Sequence, residues 1–244
     1  MPQHRIYVEP FGGAASVLMR KPRAYAEVYN DLDDDVVNLF QVLRSVSAHE
    51  LVRLLRLTPF ASTEFFGAYE ATDDQVERAR RLVIRSFMGF GSNAAHKKSG
   101  FRSNSNRSGT TPAHDWANYP DALQSIIERL TGVCVLRRDA LEVMAAHDAP
   151  GVLHYVDPPY VFSTRTDDGD DYAHELTDDQ HRDLLAFLRT LKGNVMLSGY
   201  PSDLYDEALK GWRRVQRKAM ADGAAERTEV LWMNFDHQPQ GVLL

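Results

Sequence analysis

Asp157-Pro158-Pro159-Tyr160 directly follows the apolar run "GVLHYV", and these four residue types in that order could do a specific kind of chemistry. Two prolines supply no N–H, so the carbonyls of the segment are free to accept hydrogen bonds from something else. An acidic acceptor, a proline carbonyl and an aromatic face together suit a planar group bearing an NH₂. The two acceptors would take the amino hydrogens, and the ring would stack on Tyr160. A second stretch, "YVEPFGG" at Tyr7, runs a strand into Gly12-Gly13 and then into the helix-like "AASVLMRK". Glycine at such a turn lets backbone approach a ligand closely, and a helix start offers free N–H donors, which suits a nucleotide. A tight strand-to-helix turn can equally need Gly for its own geometry, and the full G-x-G-x-x-G fingerprint is absent. Asp31 ends the next strand, where a ribose-binding carboxylate belongs in such folds and where a helix N-cap would also stand. Asp33, Asp34 and Asp35 read as first-turn acids favoured by the helix dipole.

The elements that must position these residues follow from hydrophobic period. "RIYV", then the helix, then "RAYAEVYN", then "DDDVVNLFQVLRSV" with Val36, Val37, Phe40, Val42 and Leu43 at helical spacing, open a parallel doubly wound sheet. From about Ala48 to Arg85 the apolar residues are helical throughout, which predicts a helical insertion. It runs into the long polar loop "GFGSNAAHKKSGFRSNSNRSGTTPAHDWANY", and loops of that length in compact domains are usually functional or disordered. Alternation resumes with a helix "DALQSIIERL", a strand "GVCVLRR", a helix "DALEVMAAH" and the strand "GVLHYVD". Next come a helix opened by a capping box, Thr177 with Gln180, and the strand "NVMLSGY". A terminal hairpin of "WRRVQRKAM" and "TEVLWMNF" closes the chain. The expected architecture is α/β: a Rossmann-like, mostly parallel sheet ending in an antiparallel hairpin, with residues 1–46 and 119–244 as the main domain and 47–118 as a helical insert.

Composition narrows the function classes. The chain has 244 residues, one sizeable core with a small subdomain, and no apolar run long enough to span a membrane. No signal peptide is expected ahead of Tyr7. A single cysteine, Cys134, rules out disulfide frameworks and cysteine-based zinc sites; a cytoplasmic protein is expected, with Cys134 as a small buried hydrophobe. The nine histidines show no paired ligand spacing and "DDGDDY" lacks the calcium-loop pattern, so no metal is expected. Net charge is −6, yet the stretch from Arg78 to His114 holds eight Lys or Arg and no Asp or Glu. A basic segment on an acidic scaffold predicts a nucleic-acid surface, with Lys97, Lys98, Arg102 and Arg107 punctuating a loop too poor in apolar residues to fold alone.

The sequence resembles the Dam-like adenine-specific DNA methyltransferases. "EPFGGAAS" is similar to their S-adenosylmethionine motif, "YNDLDDDVVNLF" to their acidic second-strand motif and "VDPPY" to their catalytic motif. "NVMLSGY" and "TEVLWMNF" are similar to their later strands. The resemblance runs over nearly the whole chain in the family's order. It implies that Pro10, Phe11, Gly12 and Gly13 line S-adenosylmethionine, that Asp31 binds its ribose hydroxyls and that Asp139 sits near its adenine, although Asp139 also opens a helix as a plain N-cap would. It implies that Asp157, Pro158, Pro159 and Tyr160 hold the target base, and that 47–118 is the DNA-recognition insert on double-stranded DNA. Ahead of the first strand the family usually carries an aromatic residue and a Gly-Gly-Lys; here only Met1 to His4 stand. Methylating an amino nitrogen is direct displacement, so a lacking cysteine nucleophile is no objection and counts against cytosine ring-carbon methylation. Two other readings stay open: a cytosine amino-nitrogen methyltransferase, which usually has Ser in place of Asp157, and a DNA-binding homologue with impaired catalysis. The expected setting is the cytoplasm of a bacterial or phage-infected cell, and a restriction endonuclease partner is left open.

Overall fold

The period-two runs become seven strands of one sheet in the computed structural model, which describes residues 1–104, 109–164, 174–220 and 226–236. They are β1 (Ile6–Glu9), β2 (Ala26–Asn30), β3 (Val133–Leu136), β4 (Val152–Val156), β5 (Asn194–Gly199), β6 (Arg213–Met220) and β7 (Glu226–Met233). Their order is β3-β2-β1-β4-β5-β7-β6. β1 pairs in parallel with β2, Val8 opposite Val28, and with β4, Val8 opposite His154; β4 and β5 are also parallel. β7 runs antiparallel to both β5 and β6. This is the doubly wound sheet with a terminal hairpin that the sequence predicts. β2 and β4 flank β1 on opposite sides, so the connections switch direction between β1 and β4, which in open α/β sheets is where a ligand crevice opens.

The described helices are α1 (Ser16–Arg20), α2 (Asp34–Leu43), α3 (Ala48–Leu57), α4 (Ser62–Gly67), α5 (Gln75–Met88), α6 (Pro112–Arg129), α7 (Ala140–His147), α8 (Asp178–Leu188) and α9 (Asp203–Ala208). Contacts divide the chain into two compact units, residues 1–32 with 136–244, and residues 33–135. The expected insert, 47–118, lies inside the second unit. In the first unit Val156, Leu184, Leu185, Leu188, Val195, Leu197 and Trp232 form one apolar cluster, and Val8, Val28, Val143 and Val152 another. The capping box at α8 is present as predicted: Gln180 N–H donates to Thr177 Oγ1 and Thr177 N–H to Gln180 Oε1.

The second unit is helical. α3 buries Leu51 and Leu55, and α5 buries Ala79, Leu82 and Val83 on one face and Ile84 with Met88 beside it, at helical spacing. Three sequence expectations change. The segment 112–119, expected as loop, is the start of α6: Thr111 caps it by accepting the His114 N–H, and Pro112 occupies the first turn, where its lost donor costs nothing. Pro120 sits inside that helix, and Trp116 is buried and donates its indole N–H to the Thr58 carbonyl at 2.8 Å. Residues 89–104 of the polar loop are held in place. A bridge pairs Gly89 with Phe101, whose ring packs 5.0 Å from Phe60 and 5.9 Å from Phe65, giving the loop an aromatic anchor that composition underrates. Cys134 is exposed on edge strand β3, its neighbours Val133 and Val135 taking the inward face by strand alternation, so burial was the wrong expectation.

Candidate active site

The turn after β1 is locked by its own strand neighbours. Gly12 N–H donates to the Asn30 carbonyl at 2.8 Å, and a Cβ on Gly12 would fall 2.1 Å from Cε2 of Tyr29, a fully buried ring. No side chain fits there. Tyr29 in turn donates its hydroxyl to the Gly13 carbonyl at 2.7 Å. Gly13 has φ +47° and open space where its Cβ would be, so the loop closes against β2 at Gly12 and opens outward at Gly13. Ala15 is also left-handed, at φ +53°.

Asp31 accepts the Gly13 N–H at 2.7 Å through Oδ2. It does not cap α2; Asp33 does, accepting from the Asp35 and Val36 N–H groups, while Asp34 and Asp35 occupy the first turn. Asn30, buried, donates to the carbonyls of Pro10 and Arg138 at 2.9 Å each and accepts the Arg138 N–H at 2.9 Å. One side-chain amide therefore ties the start of the glycine turn at Pro10 to the segment entering Asp139. Asp139 caps α7, taking the Leu141 and Glu142 N–H groups on Oδ1. Asn30 was not singled out from the sequence, although it stands beside Asp31 at the end of an apolar strand.

Glu9, also not singled out, is the acidic residue immediately before Pro10. It is 2% exposed, accepts the Tyr7 hydroxyl at 2.7 Å and the Leu18 N–H at 3.1 Å, and has its pKa pushed up to about 7. Burial is the main cause; Asp157 pushes the same way, while the two hydrogen bonds and Lys21 oppose it. Lys21 is buried against Glu27 and lies over the Tyr7 ring, 4.4 Å from its centre.

At the end of β4, Pro158 and Pro159 are buried and Tyr160 is half-buried, whereas Asp157 keeps a side open to solvent. The Ser198 hydroxyl on β5 lies 2.6 Å from Asp157 Oδ1 and 3.2 Å from the Val156 carbonyl. Crowding by surrounding protein raises the Asp157 pKa, and Glu229 adds to the rise; hydrogen bonds from Ser198 and Tyr160 pull it back. Tyr160 meets the edge of Tyr200 with ring centres 4.5 Å apart, and Arg227 donates to the Tyr200 hydroxyl at 2.9 Å. Ser198 and Tyr200 belong to "NVMLSGY", read from sequence only as a strand. The arrangement is a carboxylate held by a hydroxyl, a proline turn and a pair of phenol rings beside the strand that carries the glycine turn.

Half of the basic run in the second unit is already neutralised. Arg78 binds Asp34 and Asp35, Arg80 binds Glu64 and Glu77, Arg81 binds Glu77, and Arg85 binds Asp35. The Arg80 hydrogen bond foremost, with Arg81, draws the Glu77 pKa down to about 2 despite partial burial. These arginines tie α5 to acids on α2, α4 and α5, so the charge block overstated the cations presented outward. Lys97 and Lys98 are exposed. Arg102 is half-buried and donates to the Phe87 carbonyl at 3.2 Å. Arg107 lies outside the described residues.

Among the described residues no group of three His, Cys, Asp or Glu side chains could hold a metal ion, and no helix is long and apolar enough to cross a membrane. The family model for D12 class N6 adenine-specific DNA methyltransferases matches residues 1–222. No curated protein matches the chain.

Proposed function

The chain belongs to the D12 class N6 adenine-specific DNA methyltransferases and is an adenine-specific DNA methyltransferase, and from that premise we propose S-adenosylmethionine as its methyl donor and a flipped adenine of double-stranded DNA as its substrate. One observation carries the reading: β1 and β4 are neighbours at the switch point, so the glycine turn and the Asp-Pro-Pro-Tyr turn emerge side by side. The donor's nucleoside fits the loop because Gly13 leaves open space where any other residue would place a side chain. Pro10, Phe11, Gly12 and Gly13 would line it, Asp31 would take its ribose hydroxyls and Asp139 would lie toward its adenine. S-adenosylmethionine, when bound, supplies an activated sulfonium methyl.

The protein's share of the chemistry is positioning. Asp157 and the Pro158 carbonyl accept the two amino hydrogens of the target base, which aims the nitrogen lone pair. Pro159, which has no N–H, keeps the turn stiff, and Tyr160 stacks on the extruded ring. Extruding a base costs a few kcal/mol, of which stacking returns roughly 1–3 kcal/mol. Ser198 holds one Asp157 oxygen in place, which fixes the acceptor before substrate arrives. Lys97, Lys98, Arg102 and Arg107 are the proposed DNA contacts of the second unit.

Tritiated-methyl transfer to duplex DNA, with the products analysed as nucleosides, tests the proposal. The parent should give N6-methyladenine. Asp157→Ala should lose methyl transfer while keeping its fold and most duplex binding; turnover above a tenth of the parent's would refute the role of Asp157.

A further inference from the structure

β7 outruns the strand it leans on. β5 ends at Gly199, opposite Val230, but the β6–β7 pairing continues through Glu229, Thr228, Arg227 and Glu226 against Arg217, Lys218, Ala219 and Met220. Four further ranks at about 3.3 Å each carry a two-stranded ribbon about 13 Å past the last β5 pair. β7 is antiparallel to β5, so this overhang leaves the sheet at the carboxyl ends of the parallel strands, the end that bears Asp157. From Lys210 to Met220 the chain has five Lys or Arg and no acid. Arg213, Arg214, Arg217 and Lys218 are all exposed.

The overhang is joined to the catalytic turn. Directly paired residues share a face of a sheet, so Arg217 lies on the side of Glu229, which is close enough to Asp157 to act on its charge. Arg227, two residues before Glu229, faces the same way and bonds the Tyr200 hydroxyl, and Tyr200 abuts Tyr160. Lys218 falls on the opposite face by alternation. Farther back on β6, Arg214 is engaged by Asp206 at 2.9 Å.

We infer that the β6–β7 overhang is a second DNA-contacting surface, on the same unit as Asp157, with Arg217 and Lys218 meeting phosphates that flank the methylated base. This rests on the DNA methyltransferase reading above. Phosphate is the chemistry the ribbon fits, because exposed cations on both faces of a strand edge can follow a charged backbone without reading bases. A row of cations also guards a sheet edge against pairing with other chains. That role would make Arg213, at the other end of β6, equivalent to Arg217.

Fluorescence anisotropy of a labelled duplex at several salt concentrations separates the two. The Arg217→Gln/Lys218→Gln variant should lower the magnitude of the slope of log K against log salt by about 1.8, and weaken binding roughly 10- to 100-fold near 0.1 M salt. Arg213→Gln should leave the slope at the parent's value. An unchanged slope in the double variant, while the parent binds and methylates DNA, overturns the ribbon assignment alone. An equal fall in Arg213→Gln overturns it too, since the effect would then be diffuse charge. A parent that neither binds nor methylates DNA overturns the functional reading and this inference together.

Discussion

Replacing Glu9 by Gln should make the protein more stable at neutral and alkaline pH and change the shape of its pH dependence. Glu9 is 2% exposed and its pKa stands at about 7 against an ordinary 4.5. The folded chain therefore holds this proton more tightly than the unfolded chain, and between pH 4.5 and 7 folding takes up a proton. Stability must fall as pH rises through that window, fully retained below 4.5 and fully lost above 7. At about 1.4 kcal/mol per unit the shift amounts to about 3 kcal/mol, a large part of a typical folding free energy. Glutamine keeps an oxygen for the Tyr7 hydroxyl and the Leu18 N–H but never ionises. Urea unfolding followed by tryptophan fluorescence at pH 4.5, 6, 7 and 8 would measure the difference between Glu9→Gln and parent. Any constant offset reports packing of the amide. The pH-dependent part should grow in the variant's favour by about 3 kcal/mol from pH 4.5 to 8. A difference that stays flat within about 0.5 kcal/mol would refute the argument that burial leaves this carboxyl uncompensated.

Gly12→Ala should cost about 3 kcal/mol or more, because its Cβ would meet the buried Tyr29 ring. Thermal unfolding in a Tyr29→Ala background should show the cost reduced by at least about 1 kcal/mol, and strict additivity would argue against the clash. Ser198→Ala should lower kcat about tenfold to a hundredfold, in keeping with losing a hydrogen bond to a charged group. Ser198 holds the Asp157 pKa down, so the acidic limb of the pH–rate profile should also move to higher pH; an unmoved profile with parental kcat would remove Ser198 from the site.

Much of this protein was legible in one dimension because local rules governed it. The strands at Ile6, Ala26, Val152 and Asn194, the Thr177–Gln180 cap and the places of the Gly12-Gly13 and Asp157-Pro158-Pro159-Tyr160 turns show in residues within a few positions of each other, whereas what holds those two turns, Tyr29 and Asp31 for one and Ser198 for the other, comes from neighbouring strands. Where a local signal pointed the wrong way, a distant partner had overridden it. The polar stretch 112–119, expected as loop, opens α6, whose Trp116 is buried and bonded to Thr58, and Phe101 pins a polar loop against Phe60 and Phe65. The charge block from Arg78 to His114 looked like a single nucleic-acid surface, but Asp34, Asp35, Glu64 and Glu77 neutralise its first half across the helices of that unit. Composition counts charges and cannot see their partners. Glu9, Asn30, Ser198 and Tyr200 lie in the quoted stretches, but nothing local gives them a role; they matter because parallel pairing sets β1, β2, β4 and β5 in register and brings their carboxyl ends together. Residue type fixed what each of these groups can do, and strand register decided which of them meet.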